Sequence, residues 1–252
     1  MSKLQIKLEC FESLESTNTY LRQQAAKGAP EGAVVIANEQ TAGRGRMGRS
    51  FASAPGLGIY MSLLLRPDCV PEKAQTLTAS VAAAVCRAIE KTSGLEPEIK
   101  WVNDIILRGR KICGVLCESS VSEKGLDFVI VGIGLNVINR ESDFPPELRD
   151  IAGSIYSQSG LVIERGALIA AILSELDAMY GAWQENGSAY LNEYKKRCKM
   201  LGHLVEVSGA GGNALAVAED IEQDFGLKVR FDSGETRVLH SGEVSVKPSY
   251  KE

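Results

Sequence analysis

Apolar positions along this chain change their period several times, and each change marks an element. Tyr20 to Ala26 follows Glu15-Ser16-Thr17-Asn18-Thr19, where a Ser or Thr can cap a short helix that stops near Gly28 and Pro30. Ala33 to Ala37 is a short β-rich run, and Gly58 to Leu65 reads as a strand closed by Arg66-Pro67. From Pro71 through about Thr92 the residues Leu77, Val81, Ala84, Val85, Ala88 and Ile89 recur at helical spacing, which predicts one long buried helix ended by Ser93-Gly94. Glu98 to Leu107 and Lys111 to Glu118 read as two strands around the turn Arg108-Gly109-Arg110, and Phe128 to Val137 as another apolar strand. Pro145-Pro146 and Gly153 mark a loop, after which Leu168 to Tyr180 and Ser188 to Cys198 return to helical spacing.

The character changes after His203. Leu204–Val207, Ala214–Ile221, Leu227–Phe231 and Thr236–Val246 alternate with turns at 209–212 and Asp232-Ser233-Gly234, a pattern that predicts a small β-barrel of SH3-like type. The expected organisation is therefore a domain over 1–200 and a C-terminal barrel over 201–252. Strands interspersed with helices, without regular βαβ alternation, predict an α+β fold with a mixed sheet and helices packed against it.

Composition narrows the function. Of 252 residues, 44% are hydrophobic and 24% charged, so a full core is within reach without staples. The formal net charge of -4 argues against nucleic-acid binding by overall positive charge. The first residues, Met1-Ser2-Lys3-Leu4-Gln5-Ile6, carry no apolar signal, and no apolar run approaches the roughly 20 residues of a membrane span, so a cytoplasmic protein is expected. The six cysteines form no CxxC pair, and they read as free thiols.

Three clusters carry chemistry. Gly43-Arg44-Gly45-Arg46-Met47-Gly48-Arg49 packs three arginines and three glycines into seven residues. Glycines let backbone N–H groups approach a ligand, and arginines offer fixed forks of donors to carboxylate or phosphate. Composition alone fits an anion-binding loop and a solvated basic turn equally. Lys100-Trp101-Val102-Asn103-Asp104 is followed by Lys111 on the next strand. A two-residue hairpin would pair Leu107 with Arg110, Ile106 with Lys111 and Asp104 with Cys113, leaving Lys111 and Asp104 as diagonal neighbours unless a bulge intervenes. Taken alone, that pair reads as a surface ion pair. Gly132-Ile133-Gly134-Leu135-Asn136 sets two glycines in an apolar strand, which signals either a bulge or a close approach by a ligand.

In order and spacing these clusters resemble the biotin–protein ligases, as do Glu15–Asn18, Gln40, Arg110-Lys111 before Gly114–Glu118, and Ser241–Ser245. The resemblance covers nearly the whole chain. It implies the class II synthetase-like biotin/lipoate ligase fold followed by an SH3-like barrel. Since the Ser16-Thr17 motif comes almost at once, it also implies a monofunctional member without the N-terminal DNA-binding domain of some relatives.

By the same resemblance, Ser16, Thr17, Asn18 and Gln40 would hold the biotin head, and Gly43, Arg44 and Gly114 would line its pocket. Arg46 would lie over the acyl-adenylate, and Lys111 would face the reacting carboxylate and α-phosphate. Arg49, Phe51, Lys100, Asn103, Asp104 and Asn136 would serve ATP, with Asp104 also a ligand for Mg2+ or a helper in deprotonating the acceptor lysine. Lys111, Arg46 and Asp104 are thus the expected catalytic residues. Two positions depart from the family pattern: Val102 replaces a common proline, with little effect expected in a strand, and Phe51 replaces a common tryptophan. The partner implied is a biotin carboxyl carrier domain, with no sequence-specific DNA and no membrane, and exposed sheet edges leave room for a homodimer. The rivals are a lipoate- or octanoate-transferring relative and a non-catalytic nucleic-acid module.

Overall fold

In a computed structural model, residues 4–123, 125–209, 212–240 and 243–246 are described. The turn residues 210–211 and the Ser241-Gly242 part of the C-terminal motif lie outside them. The first half of the chain runs β1 (Lys7–Leu14), α1 (Thr17–Ala26), β2 (Ala33–Gln40), β3 (Gly58–Leu65), α2 (Pro71–Gln75), α3 (Leu77–Ser93), β4 (Glu98–Lys100), β5 (Asp104–Leu107), β6 (Arg110–Ser122) and β7 (Gly125–Asn136). Then follow α4 (Ile155–Ser159), α5 (Arg165–Glu185), α6 (Leu191–Arg197), and β8 (Leu204–Gly209), β9 (Gly212–Ile221), β10 (Leu227–Phe231), β11 (Thr236–Leu239) and β12 (Glu243–Val246).

Seven strands form one sheet in the order β1-β2-β3-β7-β6-β5-β4, with β1 and β2 parallel and the other pairs antiparallel. A second sheet, β11-β10-β9-β8-β12, is antiparallel throughout. This is the expected α+β mixed sheet followed by a small antiparallel β unit.

Strand alternation assigns the faces of the large sheet. Val34, Ile36, Met61, Leu63, Val131 and Ile133 join the core beneath α3 and α5. Val35, Leu64, Phe128 and Ile130 point the other way and pack on Leu21 and Ala25 of α1. The α3 helix is buried almost all round, as its alanines allow close approach to sheet and neighbouring helix. Ala83 is fully buried, so Ala83→Leu is expected to overpack this layer and cost about 1–3 kcal/mol of stability, to be read by chemical denaturation.

Several expectations change. The helix expected from Pro71 is broken at Thr76, whose side chain bonds the Lys73 carbonyl at 2.7 Å and accepts from Trp183 Nε1 at 2.7 Å. The run Glu98–Leu107 is not one strand: residues 101–103 reverse the chain, and Lys100 pairs with Asp104. Val102 therefore sits in a turn rather than a strand. Trp101 anchors this turn, with its indole N–H donating to the Phe225 carbonyl of the C-terminal unit at 2.9 Å. The run Thr236–Val246 likewise divides into β11 and β12, which lie at opposite edges of the second sheet. Strand β1 escaped the hydrophobic pattern because nearly all of it is exposed at a sheet edge. The same two apolar layers leave the site on the α1 face, beyond the end of that helix.

Candidate functional site

The site begins with the period of β7. Phe128 and Ile130 fill the space under α1, and the next residues on that face are Gly132, Gly134 and Asn136. Losing side chains at two successive positions opens a hollow. Cross-strand pairing extends it: Tyr60, Gly134, Gly114, Asp104 and Lys100 form one row across β3, β7, β6, β5 and β4. The expected pairing of Asp104 with Cys113 is corrected here. A bulge at Ile112 shifts the register, so that Ile105 faces Cys113 and Asp104 faces Gly114. Without it the Cys113 side chain would fill the hollow; with it Cys113 is turned into the core.

The resulting cavity is about 490 Å³, within the range of small-ligand sites. One end is a polar niche. Ser16 caps α1, its side chain accepting from the Thr19 N–H. The Thr17 N–H and hydroxyl both donate to Gln40 Oε1, at 2.9 and 3.1 Å, while Gln40 Nε2 donates to Ser53 Oγ at 2.9 Å. Asn18 Nδ2 donates to Glu118 Oε2 at 2.8 Å, and its carbonyl accepts from Ser62 Oγ at 2.6 Å. Ser16, Thr17, Asn18, Ser53 and Ser62 are all buried, so this end holds ordered donors and acceptors at low solvent exposure.

The other end is cationic. Lys111 Nζ lies 2.6 Å from Asp104 Oδ1. Backbone bonds hold Lys111 in place: its N–H donates to the Ile151 carbonyl at 2.8 Å, and its carbonyl accepts from the Gly153 N–H at 2.9 Å. Asn136 donates from Nδ2 to the Gly153 carbonyl at 2.9 Å, and its buried Oδ1 has no partner among the described residues. Residues 43–51 form a short ribbon over the cavity, with Phe51 N–H bonded to the Gly43 carbonyl and Gly45 N–H to the Arg49 carbonyl. Near its tip Arg46 Nη1 donates to Asn103 Oδ1 at 3.0 Å, and Asn103 Nδ2 donates in turn to the Val115 carbonyl at 2.8 Å. Among the described lining residues, the basic side chains Arg44, Arg46, Arg49, Lys100 and Lys111 outnumber the carboxylates of Asp104 and Asp150. An acidic protein has thus gathered positive charge around one cavity.

Every expected site residue except Gly43 lines this cavity. Gly43 lies behind the wall, where a Cβ would come 2.4 Å from the Phe51 carbonyl oxygen. The ring of Phe51 lies over Gly134, a Cβ on which would fall 2.7 Å from it. Pattern reading missed Ser53 and Ser62, single serines that only folding brings beside Gln40 and Asn18. It also missed Phe144, Leu148 and Ile151 on the loop after β7, and Ser208 and Val244 of the C-terminal unit, which all line the cavity.

Among the described residues no group of three or more His, Cys, Asp or Glu side chains could hold a metal ion. Asp104, the expected Mg2+ ligand, is engaged by Lys111. These residues do not fit a resident metal. No helix among the described residues is long and apolar enough to cross a membrane.

A niche for a neutral polar head, opening along a glycine floor onto clustered cations, suits a protein that holds an organic acid by its head and offers its carboxylate to a phosphate. The chain belongs to the biotin/lipoate A/B protein ligase family, whose model matches residues 10–136. It is 43% identical over 174 residues to the bifunctional ligase/repressor BirA of Bacillus spizizenii, an alignment covering 69% of this chain and 54% of that protein. The chain thus spans about half the length of its Bacillus relatives. It is 31% identical over 243 residues to the biotin–[acetyl-CoA-carboxylase] ligase of Mycobacterium tuberculosis, covering 94% of this chain and 88% of the relative. Among solved structures, the Aquifex aeolicus biotin protein ligase in complex with biotin and ATP aligns with a TM-score of 0.81 and 27% identity, over 96% of this chain and 98% of that one.

Proposed function

We propose that this protein is an ATP-dependent biotin–protein ligase that forms biotinyl-5′-AMP and pyrophosphate, then transfers biotin to a lysine of a biotin carboxyl carrier domain with release of AMP. The observation that carries the reading is the single cavity in which the buried niche around Thr17, Asn18 and Gln40 leads to Lys111 and the arginine ribbon. The ureido head of biotin has one carbonyl and two N–H groups, and burying it demands partners of both kinds. Ser16, Thr17, Asn18 and Gln40 supply them, with Arg44 and Gly114 along the path of the valeryl chain and Gly43 shaping the wall behind it.

In the first step the biotin carboxylate attacks the α-phosphorus of ATP and pyrophosphate leaves. Two anions must meet, and Lys111 offsets their repulsion from a position fixed by its backbone bonds to residues 151–153. Arg46, Arg49 and Lys100 neutralise the phosphates, Asn103 orients Arg46, and Phe51 and Asn136 receive the nucleotide. In the second step the acceptor amine attacks the acyl carbonyl, and the AMP phosphate departs with the bonding electrons. Asp104, oriented by Lys111, is placed to take the proton the amine must lose. The ribbon 43–51 excludes water from the mixed anhydride. The catalytic unit is 1–200, with 201–252 as the barrel that closes one side of the cavity. The reaction is expected in the cytoplasm.

Pyrophosphate exchange into ATP tests the reading, with biotin, lipoate and octanoate compared. Exchange with biotin alone is expected. Exchange driven only by lipoate or octanoate moves the enzyme to the lipoate side of the family, and none with any acid removes the ligase reading. Arg46→Gly is expected to loosen the ribbon from Asn103 and release biotinyl-AMP, measured as free adenylate or as labelling of bystander lysines. If neither exceeds the parent protein, Arg46 is not the clamp.

A further inference from the structure

We infer that Glu118 is a positioning residue that ties the head-group niche to the base of the arginine ribbon, so that one carboxylate sets both the polarity of the niche and the seat of the loop. The inference rests on the biotin reading above for its substrate but on this chain's own geometry for its mechanism. Glu118 faces Ile130 in the β6–β7 pair, beyond Leu116 on the niche side of the sheet. Its side chain is only 15% exposed and both oxygens are engaged. Oε2 accepts from Asn18 Nδ2 at 2.8 Å, and Oε1 pairs with Arg44 Nη1 at 3.1 Å, with Arg22 of α1 at 3.8 Å.

Two consequences follow. An ionised carboxylate is an acceptor only, so it turns the Asn18 amide with its NH2 toward Glu118 and its carbonyl toward Ser62. Ser62 carries one hydroxyl proton and has two near neighbours, Asn18 Oδ1 at 2.6 Å and Thr17 Oγ1 at 2.8 Å. With the Asn18 carbonyl presented and its amide bonded to a charge, that carbonyl is the stronger acceptor, and the Ser62 proton goes there. The Thr17 hydroxyl proton is then shared between Ser62 Oγ and Gln40 Oε1, and Thr17 Oγ1, no longer accepting from Ser62, keeps its lone pairs for a ligand N–H. Glu118 thus reaches the donor pattern of the niche through Asn18 and Ser62. Arg44, meanwhile, begins the ribbon and bridges Ser50 across it. A shift of Glu118 would therefore move the niche and the ribbon together.

The test is Glu118→Gln, which keeps the size but removes the charge and adds a donor facing Asn18 and Arg44. The Michaelis constant for biotin in pyrophosphate exchange is expected to rise about tenfold or more, on the scale of a lost charged hydrogen-bond partner, while that for ATP and the turnover number change little. Hydrogen exchange of residues 43–51 and of the start of α1, read without ligand, should quicken together in the variant. Arg44→Gln should quicken the ribbon alone, and the double variant should add nothing to the ribbon beyond Glu118→Gln. Unchanged exchange in the ribbon overturns the coupling. So does a drop in thermal stability with biotin and ATP constants moving equally, which marks a merely structural side chain. The ligand-free exchange is readable even if the parent protein does not use biotin, so failure of the substrate reading and failure of this inference are separable.

Discussion

Lys111→Ala is expected to lower biotin-dependent pyrophosphate exchange by about 10²–10³-fold, the usual scale for removing one preorganised group that stabilises charge in a transition state. Three features of the structure make the loss large. The ammonium is held in place by the bulged strand and by two backbone bonds to residues 151–153. It is paired with Asp104 at 2.6 Å, so the change also leaves a partly buried carboxylate uncompensated beside incoming anions. Finally, among the other basic side chains of the described lining, Arg44, Arg46 and Arg49 ride on the ribbon and Lys100 lies on the short edge strand β4, whereas Lys111 is bonded to the loop at 151–153 as well. The fold should survive, since the pair is partly exposed and such pairs contribute about 0–1 kcal/mol. Measured exchange within a few-fold of the parent would remove Lys111 from the reaction.

The second large effect comes from the floor. A Cβ on Gly132 would lie 2.1 Å from Asn18 Oδ1, and Asn18 cannot swing away without giving up Glu118 and Ser62. Gly132→Ala should therefore raise the Michaelis constant for biotin by about tenfold or more, the scale of losing buried hydrogen bonds, and affect ATP far less. Two residues along, Gly134→Ala meets the Phe51 ring at 2.7 Å instead, and that ring can tilt because it is only partly buried. Its effect should fall on ATP and be milder. Parallel titrations of both substrates check the contrast. If the two variants weaken biotin and ATP alike, the floor is not divided between the substrates.

The short-range pattern went far for this protein. The strands at 58–65 and 227–231 end where apolar residues give way to Arg66-Pro67 and Asp232-Ser233, and the α1 cap was legible because serine before a helical run accepts from the turn it opens. The Gly/Arg ribbon, the Lys100–Asp104 run and Lys111 stood out because clustered charge and glycine have few purely structural uses. What failed was local in a different way. A hydrophobic run cannot report a reversal inside it, so 98–107 read as one strand although Trp101 turns inward to reach Phe225, 124 positions away. The edge strand β1 hides because an exposed strand needs no alternation.

The sequence by itself determined the fold class, the order of the elements with a strong apolar period and the residues able to handle anions, because each depends on periods and chemistry within a few positions of the chain. Only the tertiary structure decided how those residues meet. The bulge at Ile112 put Gly114 rather than Cys113 opposite Asp104, since register is settled by packing on both faces of the sheet. Ser62 and Glu118 joined the niche because strands distant in sequence lie about 5 Å apart in a sheet, and Ser53 because the segment after the ribbon passes beside Gln40. No spacing rule within one segment encodes that adjacency.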